Sequence, residues 1–348
     1  MSALGCCPAP VAPAPRALEW VACNLCGSWD SELLYPGTVD LAGGPLDPQQ
    51  VFACTSCQYG RYGPVVRCRQ CRLVYLNPRL AAPAIEAAYE EVADTLYLEE
   101  REGRVHTFAR TLVELEAVRE SLRQSPTPPP GDPRGCLLDV GCHIGVFLEQ
   151  AQARGWLAIG VEPSRWASDQ ARARGLQVVR GTLRGSAFPS ASFDVVTLWD
   201  VIEHFPDPAA ELREVHRLLR PHGLIGLTTM NIDSLIARLL GPRWPWLMQM
   251  HLYYFSVHTL TALLARCGFR VVAVRPHRRI VRLAYLLSRA ERWVPHTARR
   301  LQHVARRLGL DRRLVPIDLG DIISVYAQRV DSPNGHAGSP ASLRPLVR

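Results

Sequence analysis

The nonapeptide Leu137-Leu138-Asp139-Val140-Gly141-Cys142-His143-Ile144-Gly145 constrains this chain more than any other stretch. An apolar run ends on an acidic residue, two glycines stand in the turn, and the segment GVFLEQAQARG follows with helical spacing. The expected order is strand, tight turn, helix. Glycines there let backbone approach a ligand closely, and the helix start offers unpaired N–H groups. The alternation continues downstream: LAIGVE, QVVRG, FDVVTLW and LIGLTTM read as strands, SRWASDQARARG as a helix capped by Ser164 and stopped at Gly175, and PAAELREVHRLLRP as a further helix. This pattern predicts an α/β fold whose parallel sheet is covered on both faces. A helix SVHTLTALLARCG with Ser256 as N-cap, a strand FRVVAV, arginine-rich helices and a terminal strand DIISVYAQR complete the order.

The turn lacks the G-x-G-x-x-G of a dinucleotide site, which disfavours hydride transfer from a nicotinamide. Asp139 at a strand end would repel a pyrophosphate and suits a ligand with an ammonium group. Seventeen residues beyond Gly145, Glu162 ends the second strand, where a carboxylate accepts both hydroxyls of a ribose. A nucleoside with a cationic amino-acid tail satisfies both acids, and S-adenosylmethionine fits that description.

The chain has 348 residues and a formal net charge of +8, and its basic residues are all arginine. Twelve of them fall between Val271 and Arg313 against only Glu291 and Asp311, a local excess larger than that of the whole chain. The remainder is close to neutral. The arginine-rich segment reads as a solvated helix face or as a contact for an anionic ligand or a membrane surface; nucleic acid is disfavoured, because the ribbon is poor in basic–aromatic alternation and the basic stretch lies at the far end of the chain. No stretch approaches the roughly 18 apolar residues of a spanning helix, and MSALGCCPAPVAPAPR lacks the basic start and apolar run of a signal peptide, so a cytoplasmic location is expected.

Six of the eleven cysteines form C-x-x-C pairs: Cys23/Cys26, Cys54/Cys57 and Cys68/Cys71. In a chain of this size, paired cysteines point to metal or redox chemistry rather than disulfides. Two pairs close a tetrahedral zinc site, and the Gly and Pro turns between the pairs suit a zinc ribbon. The organisation expected is a disordered tail over 1–19, a zinc ribbon over 20–80, a helical segment and Pro-rich linker over 81–134, a cofactor-binding core over 135–275, an Arg-rich helical cap and final strand over 276–330, and a disordered tail over 331–348.

CNLCG, VVRCRQCRLVYLNPR, LLDVGCHIGVFL, GVEPS, SFDVVTLWDVIEHFPDP, LLRPHGLIGLTT, GPRWPW, HLYYFS and LVPIDLGDIISVYA stand in this order between Cys23 and Arg329. In these motifs the chain resembles the class I S-adenosylmethionine-dependent methyltransferases, within them the bacterial group with an N-terminal zinc ribbon. The resemblance implies a doubly wound, mostly parallel seven-stranded Rossmann-like sheet. It assigns Asp139, Gly141 and Gly145 to the methionine part of the cofactor, Glu162 with the adjoining Pro163 to the ribose, Gly181 and Thr182 to the adenine edge, and Asp200 and Val201 to the floor beneath the sulfonium. His143, also expected against the cofactor, stands where the family usually has glycine. The resemblance further selects Cys23, Cys26, Cys68 and Cys71 as the ligands of a structural zinc and leaves Cys54 and Cys57 aside.

Methyl transfer asks the protein mainly to align nucleophile and methyl group, and to take a proton if the acceptor is a hydroxyl or acidic carbon. His204 in VIEHFPDP is a candidate general base, and His251, before Tyr253, Tyr254 and Phe255, a candidate base or orienting residue on a lid. Each also reads as a packed, hydrogen-bonded histidine. A polar lid of His204, His251 and Tyr254 favours O-methylation of a small-molecule, glycan or lipid-linked acceptor. The alternative is an RNA-modifying methyltransferase or RNA-binding protein that uses the ribbon and the arginine-rich helices.

Overall fold

The computed structural model describes residues 18–41, 43, 47–122, 134–291 and 294–330. The two expected tails, save for Leu18 and Glu19, and nearly all of the Pro-rich linker lie outside these residues. Seven strands form the central sheet: β1 (Cys136–Val140), β2 (Leu157–Glu162), β3 (Gln177–Arg180), β4 (Phe193–Trp199), β5 (Leu219–Met230), β6 (Phe269–Pro276) and β7 (Ile322–Arg329). They lie in the order β6-β7-β5-β4-β1-β2-β3, and the five from β5 to β3 pair in parallel. β7 runs antiparallel between β5 and β6, so the sheet is mostly parallel, as the strand and helix alternation requires.

Successive strand residues face opposite cores. Leu138, Val196, Leu198, Ile225 and Leu227 pack with α4 (Pro208–Leu218) and α5 (Val257–Arg266) through Leu212, Val215, Leu260 and Leu264. On the other face, Leu137, Val195 and Leu224 pack with α1 (Arg101–Leu122) and α2 (Val146–Ala153) through Leu112, Leu115, Phe147 and Ala151. Strands buried on both faces read as continuous apolar runs, which is why CLLDV and FDVVTLW are legible. Ser164 caps α3 (Arg165–Arg172) through the Ala167 N–H, and Ser256 forms a capping box with Thr259 at α5, as expected.

The N-terminal module carries a second sheet that the sequence only half anticipates. The β-like runs VVRC and LVYL of the sequence supply Val65–Cys68 and Val74–Leu76, which pair; Ser31–Tyr35 adds an outer strand, and Tyr253–Tyr254 joins from the far side. One strand of the ribbon sheet therefore comes from beyond β5. Arg79, 5% exposed, binds the seam by donating to the Tyr253 hydroxyl at 3.0 Å and the Pro206 carbonyl at 2.8 Å.

The arginine-rich segment is less uniformly helical than expected. Arg279–Arg282 pairs with Leu314–Ile317 as a hairpin-like sheet around α6 (Leu283–Ala290) and α7 (Pro295–Arg307). α1 crosses this sheet at Gly103, where an added Cβ would lie 2.4 Å from the Ile280 carbonyl oxygen, so only glycine permits the approach. Among the described residues no helix is long and apolar enough to cross a membrane.

Candidate functional site

A cavity of about 240 Å³ opens at the carboxyl ends of β1, β2 and β4, where ligands bind in open α/β sheets. Of the residues singled out for a cofactor, Asp139, Gly141, His143, Glu162, Pro163, Gly181, Thr182, Asp200 and Val201 line it. Gly145 does not. Its φ of +82° favours glycine, and a Cβ there would lie 2.2 Å from Leu176 Cδ1, so it serves the packing of the turn. Two non-glycine residues in the wall also adopt left-handed backbone, His143 at φ +51° and Asp200 at φ +57°. Such strain concentrates at functional sites, and at His143 it marks the place where glycine is the easier residue.

Asp139 is 2% exposed and accepts from the Thr197 hydroxyl at 2.7 Å. Glu162 accepts from the backbone N–H groups of His143 at 2.8 Å and Ser164 at 2.9 Å. Burial pushes the Asp139 carboxyl up to about 8, with Glu162 adding to the rise, and pushes Glu162 up to about 7. Two buried acids held by neutral donors alone make this part of the cavity short of positive charge.

Three further residues of the cavity lining escape the sequence pattern. Tyr97 stacks on the His143 ring at 3.7 Å, and the Arg104 guanidinium lies over Tyr97 at 3.7 Å. Arg104 Nε has no hydrogen-bond partner, so a cation stands in the cavity wall within electrostatic reach of His143 and Asp200. One arginine among forty on a helix upstream of the motif gives no signal; α1 has to fold over the sheet before it reaches the site. Cys54 also lines the cavity, on the N-terminal module.

The cavity lining also holds both candidate bases. His204 Nδ1 lies 3.0 Å from the Met250 carbonyl and 2.9 Å from the Tyr89 hydroxyl. A carbonyl only accepts, so Nδ1 carries the proton and Nε2 the lone pair. His251 Nδ1 lies 2.7 Å from the Trp246 carbonyl, which sets the same tautomer. Burial lowers His204 to about 4 and His251 to about 3, so both rings are neutral near pH 7. Their centroids are 4.9 Å apart. Glu203, fully buried beside them, has no hydrogen-bond partner on either carboxylate oxygen, and burial followed by the Asp200 charge raises it to about 8. Asp200 itself is held by Arg279 at 2.5 Å and the Thr228 hydroxyl at 2.9 Å. Tyr254 is not part of the wall: its hydroxyl donates to the Met248 carbonyl at 3.1 Å within the core.

Outside the cavity, Cys23, Cys26, Cys68 and Cys71 converge, their sulfur atoms all within 4.8 Å of one another. The two halves are alike in backbone. Gly27 N–H donates to Cys23 and Arg72 N–H to Cys68; Cys23 N–H donates to Ser28 and Cys68 N–H to Leu73; Gly27 and Arg72 both have positive φ. The Cys54/Cys57 pair stands apart, with the Cys57 sulfur accepting from Arg289 of α6.

Over residues 109–274 the chain matches the family model of a methyltransferase domain. It is 33% identical over 103 residues to the ubiquinone biosynthesis O-methyltransferase of Pseudomonas paraeruginosa, covering 27% of this chain and 44% of that one. It is 34% identical over 111 residues to the protein of the same name from Methylococcus capsulatus, covering 30% and 46%. The chain thus spans less than half the length of these curated relatives. A solved S-adenosylmethionine-dependent methyltransferase of Thermotoga maritima, described as a possible histamine N-methyltransferase, is 19% identical with a TM-score of 0.38 over 64% of this chain and 98% of that one, a likeness too slight to bear on the acceptor.

Proposed function

We propose that the S-adenosylmethionine-dependent methyltransferase domain of this chain transfers a methyl group to a hydroxyl of a small-molecule, glycan or lipid-linked acceptor. The observation that carries this reading is the cavity's lining: two buried acids held only by neutral donors, together with two neutral imidazoles whose Nδ1–H groups are spent on backbone carbonyls and leave the Nε2 lone pairs. Asp139 would hold the ammonium group of the cofactor, Glu162 the ribose hydroxyls and Arg104 the carboxylate. The acceptor oxygen forms a bond to the methyl carbon, the carbon–sulfur bond breaks with its electron pair passing to sulfur, and the hydroxyl proton passes to His204 or His251. The O-methyltransferase names of the relatives support a hydroxyl acceptor.

Methyl-labelled S-adenosylmethionine, incubated with the protein, a panel of phenols and catechols and a metabolite extract, tests the reading. O-methylated product is expected. Label recovered only on nitrogen or carbon would overturn the choice of acceptor, and no transfer to any acceptor would overturn the activity.

Cys23, Cys26, Cys68 and Cys71 would hold a structural zinc. The matched turns deliver four sulfurs of the type and number that tetrahedral zinc takes, and four thiolates leave no open position for chemistry. An anionic partner surface has one supporting feature: Leu301, Val304 and Leu308 are exposed along α7 and just past its end, beside exposed Arg300, Arg306 and Arg307. Binding to anionic but not neutral lipid vesicles is expected; equal binding to both would remove the electrostatic part of the reading.

A further inference from the structure

Glu203, His204 and His251 bring three groups that accept hydrogen bonds in their unprotonated forms to one part of the cavity lining. A Glu203 carboxylate oxygen and one ring nitrogen each from His204 and His251 lie within 4.8 Å of one another. Glu203 Oε1 and His204 Nε2 are 3.9 Å apart, beyond hydrogen-bonding distance. Both Glu203 oxygens are buried and unpartnered, and the Thr229 hydroxyl, which partly offsets the upward push of burial on this carboxyl, is itself without a bonded partner. The histidines cannot satisfy the carboxylate, because each Nδ1–H is spent on a backbone carbonyl, Met250 for His204 and Trp246 for His251. A buried carboxyl that meets neither a cation nor a donor lacks the partner its ionised form needs.

We infer that Glu203, His204 and His251 form a binding site for a divalent transition-metal cation in the acceptor half of the cavity. Two imidazole nitrogens and one carboxylate oxygen are a donor set such cations take, with open positions left for a substrate. The Nδ1-to-carbonyl bonds are the outer contacts that fix the tautomer and aim of metal-binding histidines. Ligand atoms about 2.0–2.2 Å from the ion sit about 3 Å apart, so the cluster closes by about an ångström or more on binding. His204 and His251 both line the cavity, so the open positions face the bound acceptor.

The cation's part in catalysis rests on the methyl-transfer reading; the site itself does not. A hydroxyl bound to the cation ionises more readily, its proton leaving to water, and the imidazoles then act as ligands rather than as the proton's acceptors.

Manganese(II) is a suitable probe, because the four-thiolate cluster disfavours it while an N,N,O site accepts it. Titration of the full chain, with its ribbon metal in place and no cofactor, is followed by electron paramagnetic resonance. One Mn²⁺ per chain is expected, its affinity at least about tenfold weaker in Glu203→Gln and in His251→Ala and unchanged in Asp139→Asn. Should the variants fail to fold, spin-echo modulation from coordinated imidazole nitrogen in the wild-type protein decides. Such modulation supports the site; non-saturating binding, affinity equal in all variants, or no imidazole modulation overturns it. Failure here leaves cofactor binding and methyl transfer untouched, whereas failure of the methyl-transfer assay leaves the Mn²⁺ titration as it is.

Discussion

At the residue scale the chemistry depends on groups whose protonation burial has moved. Asp139 and Glu162, raised to about 8 and about 7, hold protons near neutrality before a ligand binds. A cationic cofactor binds their ionised forms, so binding releases protons and lowers both values. Affinity for S-adenosylmethionine should therefore rise with pH from 6 to about 8.5 and then level. Calorimetry in two buffers of different ionisation enthalpy should show proton release at pH 7 that shrinks by pH 9; a flat profile with no proton release would count against the ionised acids as cofactor ligands. His251→Ala should lower kcat by about 10²-fold or more while leaving the cofactor Kd within about twofold, read by single-turnover methyl transfer beside calorimetry. The two acids and two histidines are legible in the sequence because each stands at a fixed offset from a glycine turn or a strand end. Arg104 and Tyr97 are not, since their importance arises from contacts made after the helices upstream of the motif have docked; Glu203 is visible beside His204, where the sequence suggests a hydrogen-bonded pair, but the two lie 3.9 Å apart.

At the scale of elements, the turn between β1 and α2 is where sequence and packing meet. Gly145 looks in the sequence like a ligand-facing glycine, yet its constraint comes from Leu176 and a left-handed backbone. Gly145→Ala should destabilise the fold by about 1–3 kcal/mol, measured as a lower urea midpoint with unchanged slope. The core strands are legible from apolar runs of four to seven residues, and the helices from their caps. Two-residue pairings such as Tyr253–Tyr254 with Val74–Tyr75 carry no periodicity of their own; they form because a neighbouring edge is available.

At the scale of the molecule, the net charge and the cysteine pairs are local features that become internal ties. Arg279 pairs with Asp200, Arg282 with Glu100, and Arg289 donates to the Thr55 carbonyl, so part of the basic segment roofs the cavity while α7 stays exposed. The Cys54/Cys57 segment, set aside for metal in favour of the other two pairs, carries Cys54 to the cavity wall and ties Cys57 to this roof. The helical segment that follows the ribbon contributes Tyr89, whose hydroxyl meets His204 at 2.9 Å, so the acceptor wall depends on the docking of the N-terminal module. If the four ribbon cysteines hold a zinc, Cys68→Ser should cost one zinc per chain, lower the melting temperature and reduce methyl transfer; full turnover by a zinc-free Cys68→Ser protein would sever the ribbon from the acceptor site.

Whether Asp139 and Glu162 hold an S-adenosylmethionine cofactor decides whether the cavity is a methyl-transfer site at all. Isothermal calorimetry of the cofactor against wild type, Asp139→Ala and Glu162→Ala tests it most directly. Saturable one-to-one binding is expected for the wild-type chain, with a loss of affinity of at least about tenfold, or about 1.4 kcal/mol, in each variant. Unchanged affinity in both folded variants would contradict it.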